Sequence, residues 1–207
     1  MSISKFISVH VPKAAGTSFL NILKKTYGDN VKTDYLDIMN LNAVILHNVP
    51  TKFTYPPKIH KRMIISGHFK ASKYLHLKRP FVTWVRNPVD RAISHYYYWK
   101  KLWLKPKKRN WDGKLSKLFE SGMDLVQFSE IFSNQMSYFL DVDLKRFVFI
   151  GVVEHYNKSL KLFNETFGVN VRSGKKLNIG KARIVNKDIR GKIANNHKED
   201  FELYHKA

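Results

Sequence analysis

Three short strings in this 207-residue chain hold residue types that manage anions and protons. The first is Pro12-Lys13-Ala14-Ala15-Gly16-Thr17-Ser18, which opens directly into a helical pattern. A glycine-containing turn lets backbone N–H groups converge, and the helix N-terminus adds partial positive charge, so the string suits a phosphate-like group. Thr17 and Ser18 are expected to cap the helix and offer hydroxyls to phosphate oxygens, while Lys13 supplies a mobile cation. A Walker-type NTPase carries G-x-x-x-x-G-K-[ST], with lysine after the second glycine. Here Lys13 precedes Gly16 and no glycine lies upstream, which disfavours that reading. The second string is Arg86-Asn87-Pro88-Val89-Asp90-Arg91-Ala92-Ile93-Ser94. Arg86 offers a planar fork for a second phosphate, with a structural ion pair as the alternative, and Ser94 follows about two helical turns in. Arg91 is expected to pair with Asp90 or to face solvent. The third string is Ser66-Gly67-His68-Phe69, whose imidazole accepts a proton near neutral pH when uncharged.

These residues need elements that bring them together. Lys5 to Val11, Arg62 to Ser66, Pro80 to Val85 and Lys145 to Val153 read as buried strands. Helical patterns run from Thr17 to Tyr27, from Pro88 to about Leu102 and from His155 to Phe167, with two short helices between Asp124 and Leu140 and a polar C-terminal helix. Strands alternating with helices predict an α/β fold, a parallel sheet covered on both faces. Ligands of such sheets gather at the carboxyl ends of the strands, where Lys13, His68 and Arg86 all fall. Of the nine histidines, His68 is the candidate base. His10 is expected to be a buried hydrogen-bonding residue, and His95 and His155 lie on helices. Glu154, at another strand end, is the alternative base or an orienting partner.

Composition sets the outer bounds. With 43% hydrophobic residues, residues 1–207 fit one domain, with variable basic loops at 103–114 and 172–183. No cysteine is present, so disulfides and thiolate metal sites are excluded; histidines are dispersed and carboxylates scarce, and no metal site is expected. Lys plus Arg number 37 against 16 Asp plus Glu, an excess of +21 that fits an anionic partner or a lysine-rich solvated surface. No stretch nears the roughly 18 apolar residues a membrane span needs, and the opening MSISKFISVHVP is too polar for a signal peptide. A soluble, cytoplasmic protein is therefore expected. Residues 33–55 carry no interpretable motif.

Taken together, PKAAGTS and RNPVDRAIS resemble the 5′-phosphosulfate and 3′-phosphate motifs of the sulfotransferases that use PAPS (3′-phosphoadenosine 5′-phosphosulfate). His10-Val11-Pro12-Lys13 is similar to the string that opens the carbohydrate members, of the heparan sulfate 2-O and 6-O kind. Ser66-Gly67-His68-Phe69, Asn134-Gln135-Met136-Ser137 and Gly151-Val152-Val153-Glu154 resemble further segments of those enzymes more weakly. The resemblance implies a P-loop-like three-layer α/β/α fold. It implies that Lys13, Ala15, Gly16, Thr17 and Ser18 hold the phosphosulfate, that Arg86 and Ser94 hold the 3′-phosphate, and that His68 is the catalytic base. PAPS would be the donor and PAP the product, with a carbohydrate hydroxyl as the acceptor.

Lys181 and Arg183 are candidates to close over the adenine or 3′-phosphate side, as late loops do in many nucleotide enzymes. Lys105, Lys107, Lys108 and Arg109, with Lys175, Lys176, Lys181 and Arg183, could line a cleft suited to an acidic polysaccharide, the alternative being that they steer the donor or only solvate the surface. If His68 is not shifted from its ordinary value, activity should fall below about pH 6.5. Two other readings compete. A nucleotide kinase would need Asp90 or Glu154 to hold Mg²⁺. A non-enzymatic polyanion or nucleic-acid binder would use the basic surface and Trp99, Trp103 and Trp111. Neither accounts for both motifs, and no nucleic-acid partner is expected.

Overall fold

The computed structural model describes residues 5–36, 53–61, 63–104, 113–171 and 184–207. Five strands form its sheet: β1 (Phe6–Val9), β2 (Val31–Asp34), β3 (Ile64–Gly67), β4 (Phe81–Val85) and β5 (Phe147–Val152). Their order is β2-β3-β1-β4-β5, and every pairing is parallel. This is the expected three-layer α/β/α fold. β1 lies at the centre, so a chain that first builds β2 and β3 on one side must cross to β4 on the other. That reversal opens a crevice beside the end of β1.

Alternation decides which residues meet which layer. Phe6 of β1 meets Tyr27 of α1 (Gly16–Tyr27) and Phe163 and Phe167 of α6 (Tyr156–Phe167), with centroids 4.8 to 6.3 Å apart. Phe19, Trp84 and Phe149 complete that aromatic layer. The opposite face carries Ile7, Val9, Phe81 and Val85 and belongs to the same core, which runs on to Tyr74, Met136 and Phe139.

The remaining helices are α2 (Pro88–Trp103), α3 (Gly113–Glu120), α4 (Leu125–Ile131), α5 (Gln135–Phe139), α7 (Lys187–Asn195) and α8 (Lys198–Lys206). Val89, Ile93, Tyr96, Phe119, Phe128 and Ile193 build a second apolar cluster among α2, α3, α4 and α7. Trp103 stacks on Phe119 within it, and the Trp99 indole N–H donates to His95 at 2.6 Å. The two tryptophans thus serve packing rather than an exposed stacking platform.

β2 was not expected, because Val-Lys-Thr-Asp alternates weakly and sits at the sheet edge. Tertiary contacts hold it in place. Asp34 is fully buried, pairs with Lys73 Nζ at 2.6 Å and accepts from the Tyr74 hydroxyl at 2.6 Å. Lys73 in turn donates to the Thr54 carbonyl at 2.6 Å. The C-terminal segment is two helices, broken near Asn196, rather than one. No helix among the described residues is long and apolar enough to cross a membrane.

Candidate active site

Since all strands run in parallel, each delivers the residue that follows it to the same edge. Read across the sheet, these are Tyr35 after β2, His68 after β3, the Lys13 turn after β1, Arg86 after β4 and Glu154 after β5.

The turn between β1 and α1 is built differently from its sequence expectation. Its left-handed positions are Lys13 (φ 67°) and Ala15 (φ 59°), and Gly16 is not among the positive-φ glycines. Ala15 is the N-cap residue and no side chain caps α1. The expected Thr17 and Ser18 caps are therefore absent, because the two residues lie two and three positions past the cap, within the first turn of the helix. Neither hydroxyl has a hydrogen-bond partner among the described residues, and both remain accessible. The N–H groups of Gly16, Thr17 and Ser18 begin the helix without intrahelical acceptors, as first-turn amides do. The result is a positively polarised rim of amides and hydroxyls.

Lys13 belongs to that rim. Its ammonium lies 4.0 Å from the ring centroid of Tyr98 on α2. Arg86 reaches the same turn, its Nη1 donating to the Lys13 carbonyl at 3.5 Å. No carboxylate pairs with either cation among the described residues. Burial, and secondarily the Arg86 charge, lowers the Lys13 ammonium to about 8 from its ordinary 10.5. Two unneutralised cations held together are costly by themselves and are relieved by an anion.

The sequence Arg86-Asn87-Pro88 has a local logic. Asn87 caps α2 by accepting from the N–H groups of Val89 and Asp90 at 3.1 and 3.3 Å, and Pro88 takes the first helical position. The Asn87 N–H donates to Glu154 at 2.9 Å, and the other Glu154 oxygen accepts from the Tyr204 hydroxyl at 3.2 Å. Glu154 thus steadies the turn that carries Arg86, as an orienting residue. Ser94 is half-buried on α2, four residues from Tyr98 and so on the same helix face. That face turns toward Lys13, since Tyr98 touches it.

The expectation for Arg91 was wrong. It is fully buried, 3.7 Å from Asp200 on α8, and donates to the Phe132 carbonyl at 3.4 Å. Asp90 instead pairs with Arg190 at 2.9 Å. Asp90 and Glu154, the two carboxylates a kinase would need, are thus both engaged in structural contacts. Among the described residues no group of three His, Asp or Glu side chains could hold a metal ion.

His68 sits directly beyond β3. Its Nδ1 donates to the His10 carbonyl at 2.5 Å, which leaves Nε2 without a proton in the neutral ring. Burial first, and the Lys13 charge after it, lower this imidazole to about 4 despite the opposing effect of the hydrogen bond. The titration expected near 6.5 is thereby displaced. His10 is buried, as expected, with Nδ1 3.2 Å from the Tyr35 hydroxyl. His95 is buried on α2 against Trp99, and His155 is exposed at the start of α6. Tyr35 and Tyr98 were not singled out from the sequence; only the four-residue spacing of Tyr98 from Ser94 could have pointed to it. Lys105, Lys107, Lys108, Arg109, Trp111, Lys175, Lys176, Lys181 and Arg183 lie outside the described residues.

Comparison with known proteins supplies the classification. A family model described as the sulfotransferase family matches residues 3–207. A search of curated protein sequences finds no match. Among solved structures, mouse sulfotransferase SULT7A1 complexed with PAP is similar over 98% of this chain and 68% of its own, at 13% identity and a TM-score of 0.44. A sulfotransferase from Alicyclobacillus acidocaldarius is similar over 97% of this chain and 93% of its own, at 13% identity and a TM-score of 0.47. With the family match spanning nearly its whole length, this chain belongs to the sulfotransferase family.

Proposed function

We propose that the protein transfers a sulfuryl group from PAPS to a hydroxyl, with a carbohydrate as the acceptor class. The observation that carries this reading is the pair of unneutralised cations, Lys13 and Arg86, beside an imidazole whose free Nε2 faces no competing donor among the described residues. A donor with phosphates at its 5′ and 3′ positions would satisfy both cations. The 5′-phosphosulfate fits the rim of Lys13, Ala15, Gly16, Thr17 and Ser18, whose amides and hydroxyls lack acceptors of their own. The 3′-phosphate fits Arg86 and Ser94, and Lys181 and Arg183 are the candidates to cover that side.

Sulfuryl transfer resembles phosphoryl transfer in that the protein chiefly positions groups and stabilises charge. The acceptor oxygen forms the new O–S bond as its proton passes to His68 Nε2. The bond between sulfur and the bridging oxygen breaks, and its electron pair leaves with the phosphate. Lys13 stands where it can neutralise that developing charge, and a nearby anion would raise both Lys13 and His68 from their values in the free protein. The Nδ1–His10 hydrogen bond keeps the proton-accepting nitrogen on the outer side of the ring.

A carbohydrate acceptor is supported by the likeness of the HVPK and SGHF strings to the carbohydrate enzymes, and the +21 charge suits an acidic polysaccharide. The test is transfer of labelled sulfate from PAPS to desulfated and native polysaccharides in EDTA, with wild type and His68→Ala. Turnover should drop by about two to four orders of magnitude in the variant, with PAP affinity preserved. Wild-type turnover by His68→Ala would remove that residue from the mechanism.

A further inference from the structure

His10 lies behind the donor turn, and its ring takes the space a side chain at Gly16 would need. A methyl group added there would fall on Cδ2, Nε2 and Cγ of the imidazole. Backbone conformation does not require glycine at this position, because the left-handed sites of the turn are Lys13 and Ala15. The neighbour requires it. The same ring lies against His68, with centroids 4.1 Å apart and planes 33° from parallel. The Tyr35 ring meets both imidazoles edge-on, at 6.2 and 5.0 Å. The backbone adds a second tie: the His10 N–H donates to Gly67 at 2.8 Å, and the His10 carbonyl accepts from His68 at 2.5 Å.

We propose that His10 is a positioning residue for His68, and that position 16 is a glycine to make room for the His10 ring. The ends of β1 and β3 and the first residue of α1 then form one packed unit, which fixes His68 relative to Lys13. This rests on the reading of His68 as the base. It assigns to Gly16 a purpose other than close approach of phosphate to the backbone.

The two purposes separate in a double-mutant cycle of wild type, His10→Ala, Gly16→Ala and the double variant. His10→Ala keeps the backbone carbonyl but removes the ring. Its kcat should fall roughly 10- to 100-fold, as for a misplaced catalytic group, with PAP affinity changed by less than about threefold. Gly16→Ala alone should be at least as damaging, because the methyl drives the ring into His68. In the double variant the methyl enters the vacated space, so adding Gly16→Ala to His10→Ala should cost nothing further. Losses that simply add, or a PAP affinity lost with Gly16→Ala whether or not His10 is present, would overturn the proposal. So would a wild-type kcat in His10→Ala.

Nitrogen-15 NMR of the His68 ring gives a readout independent of turnover. Wild type should show one Nδ1–H tautomer, and His10→Ala a ring averaging between tautomers or orientations. His10→Asn, which retains a planar polar group, should recover part of the ordered signal and of kcat; a variant no better than His10→Ala would count against positioning by the ring. If wild type fails to bind PAP, the donor reading fails, while the ring spectra still decide whether His10 orders His68.

Discussion

The charge state of Lys13 makes donor affinity depend on pH in a way that can be worked out beforehand. Burial and Arg86 hold its ammonium near 8 in the free protein. About nine-tenths of the molecules then carry the charge at pH 7 and about one-tenth at pH 9. A bound phosphate raises the ammonium, so PAP selects the protonated form and its binding takes up a proton. Provided the bound-state value rises well above 9, PAP affinity should fall about tenfold between pH 7 and 9, which is ~1.4 kcal/mol. The phosphates of PAP are already ionised across this range, with second ionisations near pH 6, and His68 is neutral throughout, so Lys13 dominates the slope. Calorimetry in two buffers of different ionisation heat measures both the affinity and the proton uptake, which should be about half a proton at pH 8. Lys13→Met should bind more weakly at pH 7 and lose the slope. A wild-type affinity that is flat from pH 7 to 9 with no proton uptake would refute the assignment of Lys13 to the phosphosulfate rim.

Other consequences follow from the same geometry. The acid limb of turnover on free enzyme should lie near pH 4 rather than near 6.5, and should move upward in the donor complex as bound anions favour the imidazolium; a kcat/KM profile breaking at 6.5 would show that His68 is not buried as described. The fold should be acid-labile through His197, which is fully buried and held down to about 3, chiefly by burial and then by Arg91. Its unfolded-state value is the higher one, so its contribution is present above about 6.5 and is lost as pH falls, by about 2 kcal/mol at pH 5, and the other buried imidazoles, His68 among them, act in the same direction. Denaturant titrations at pH 7 and 5 check this, and equal midpoints would contradict it. Lys73→Met should destabilise the protein by about 3–5 kcal/mol by leaving the Asp34 charge buried and unpaired; Asp34→Asn in the same background should recover part of the loss in a thermal melt.

Much of the fold was legible because four of its five strands announce themselves. The runs ending at Val9, Gly67, Val85 and Val152 are apolar and β-branched or aromatic, as buried parallel strands must be. β2 was illegible for the opposite reason: Val-Lys-Thr-Asp has no strand signature, and a buried Lys73–Asp34 pair holds it from a segment about forty residues away. At the site, Lys13, His68 and Arg86 could be placed from sequence because parallel strands bring their ends to one edge. What sequence could not supply is how neighbours use side-chain space. Gly16 read as a phosphate-turn glycine, yet its nearest neighbour is the His10 ring. Arg91 read as a surface residue beside Asp90, and only the position of α8 reveals Asp200 as its partner. Tyr98 gave no signal because a tyrosine on an amphipathic helix is ordinarily a packing residue, and its contact with Lys13 depends on how α2 crosses the sheet edge.

The most direct test of the account is the preference for PAP over AMP, measured by titration calorimetry in EDTA on wild type and Arg86→Ala. The two ligands differ in the 3′-phosphate that Arg86 and Ser94 are proposed to hold. Wild type should prefer PAP by at least about tenfold, since one charge-assisted contact contributes roughly 1.5–3 kcal/mol, and Arg86→Ala should lose most of that preference. Equal affinity of wild type for PAP and AMP would mean that no 3′-phosphate pocket exists at the end of β4, and the PAPS-dependent reading would fall with it.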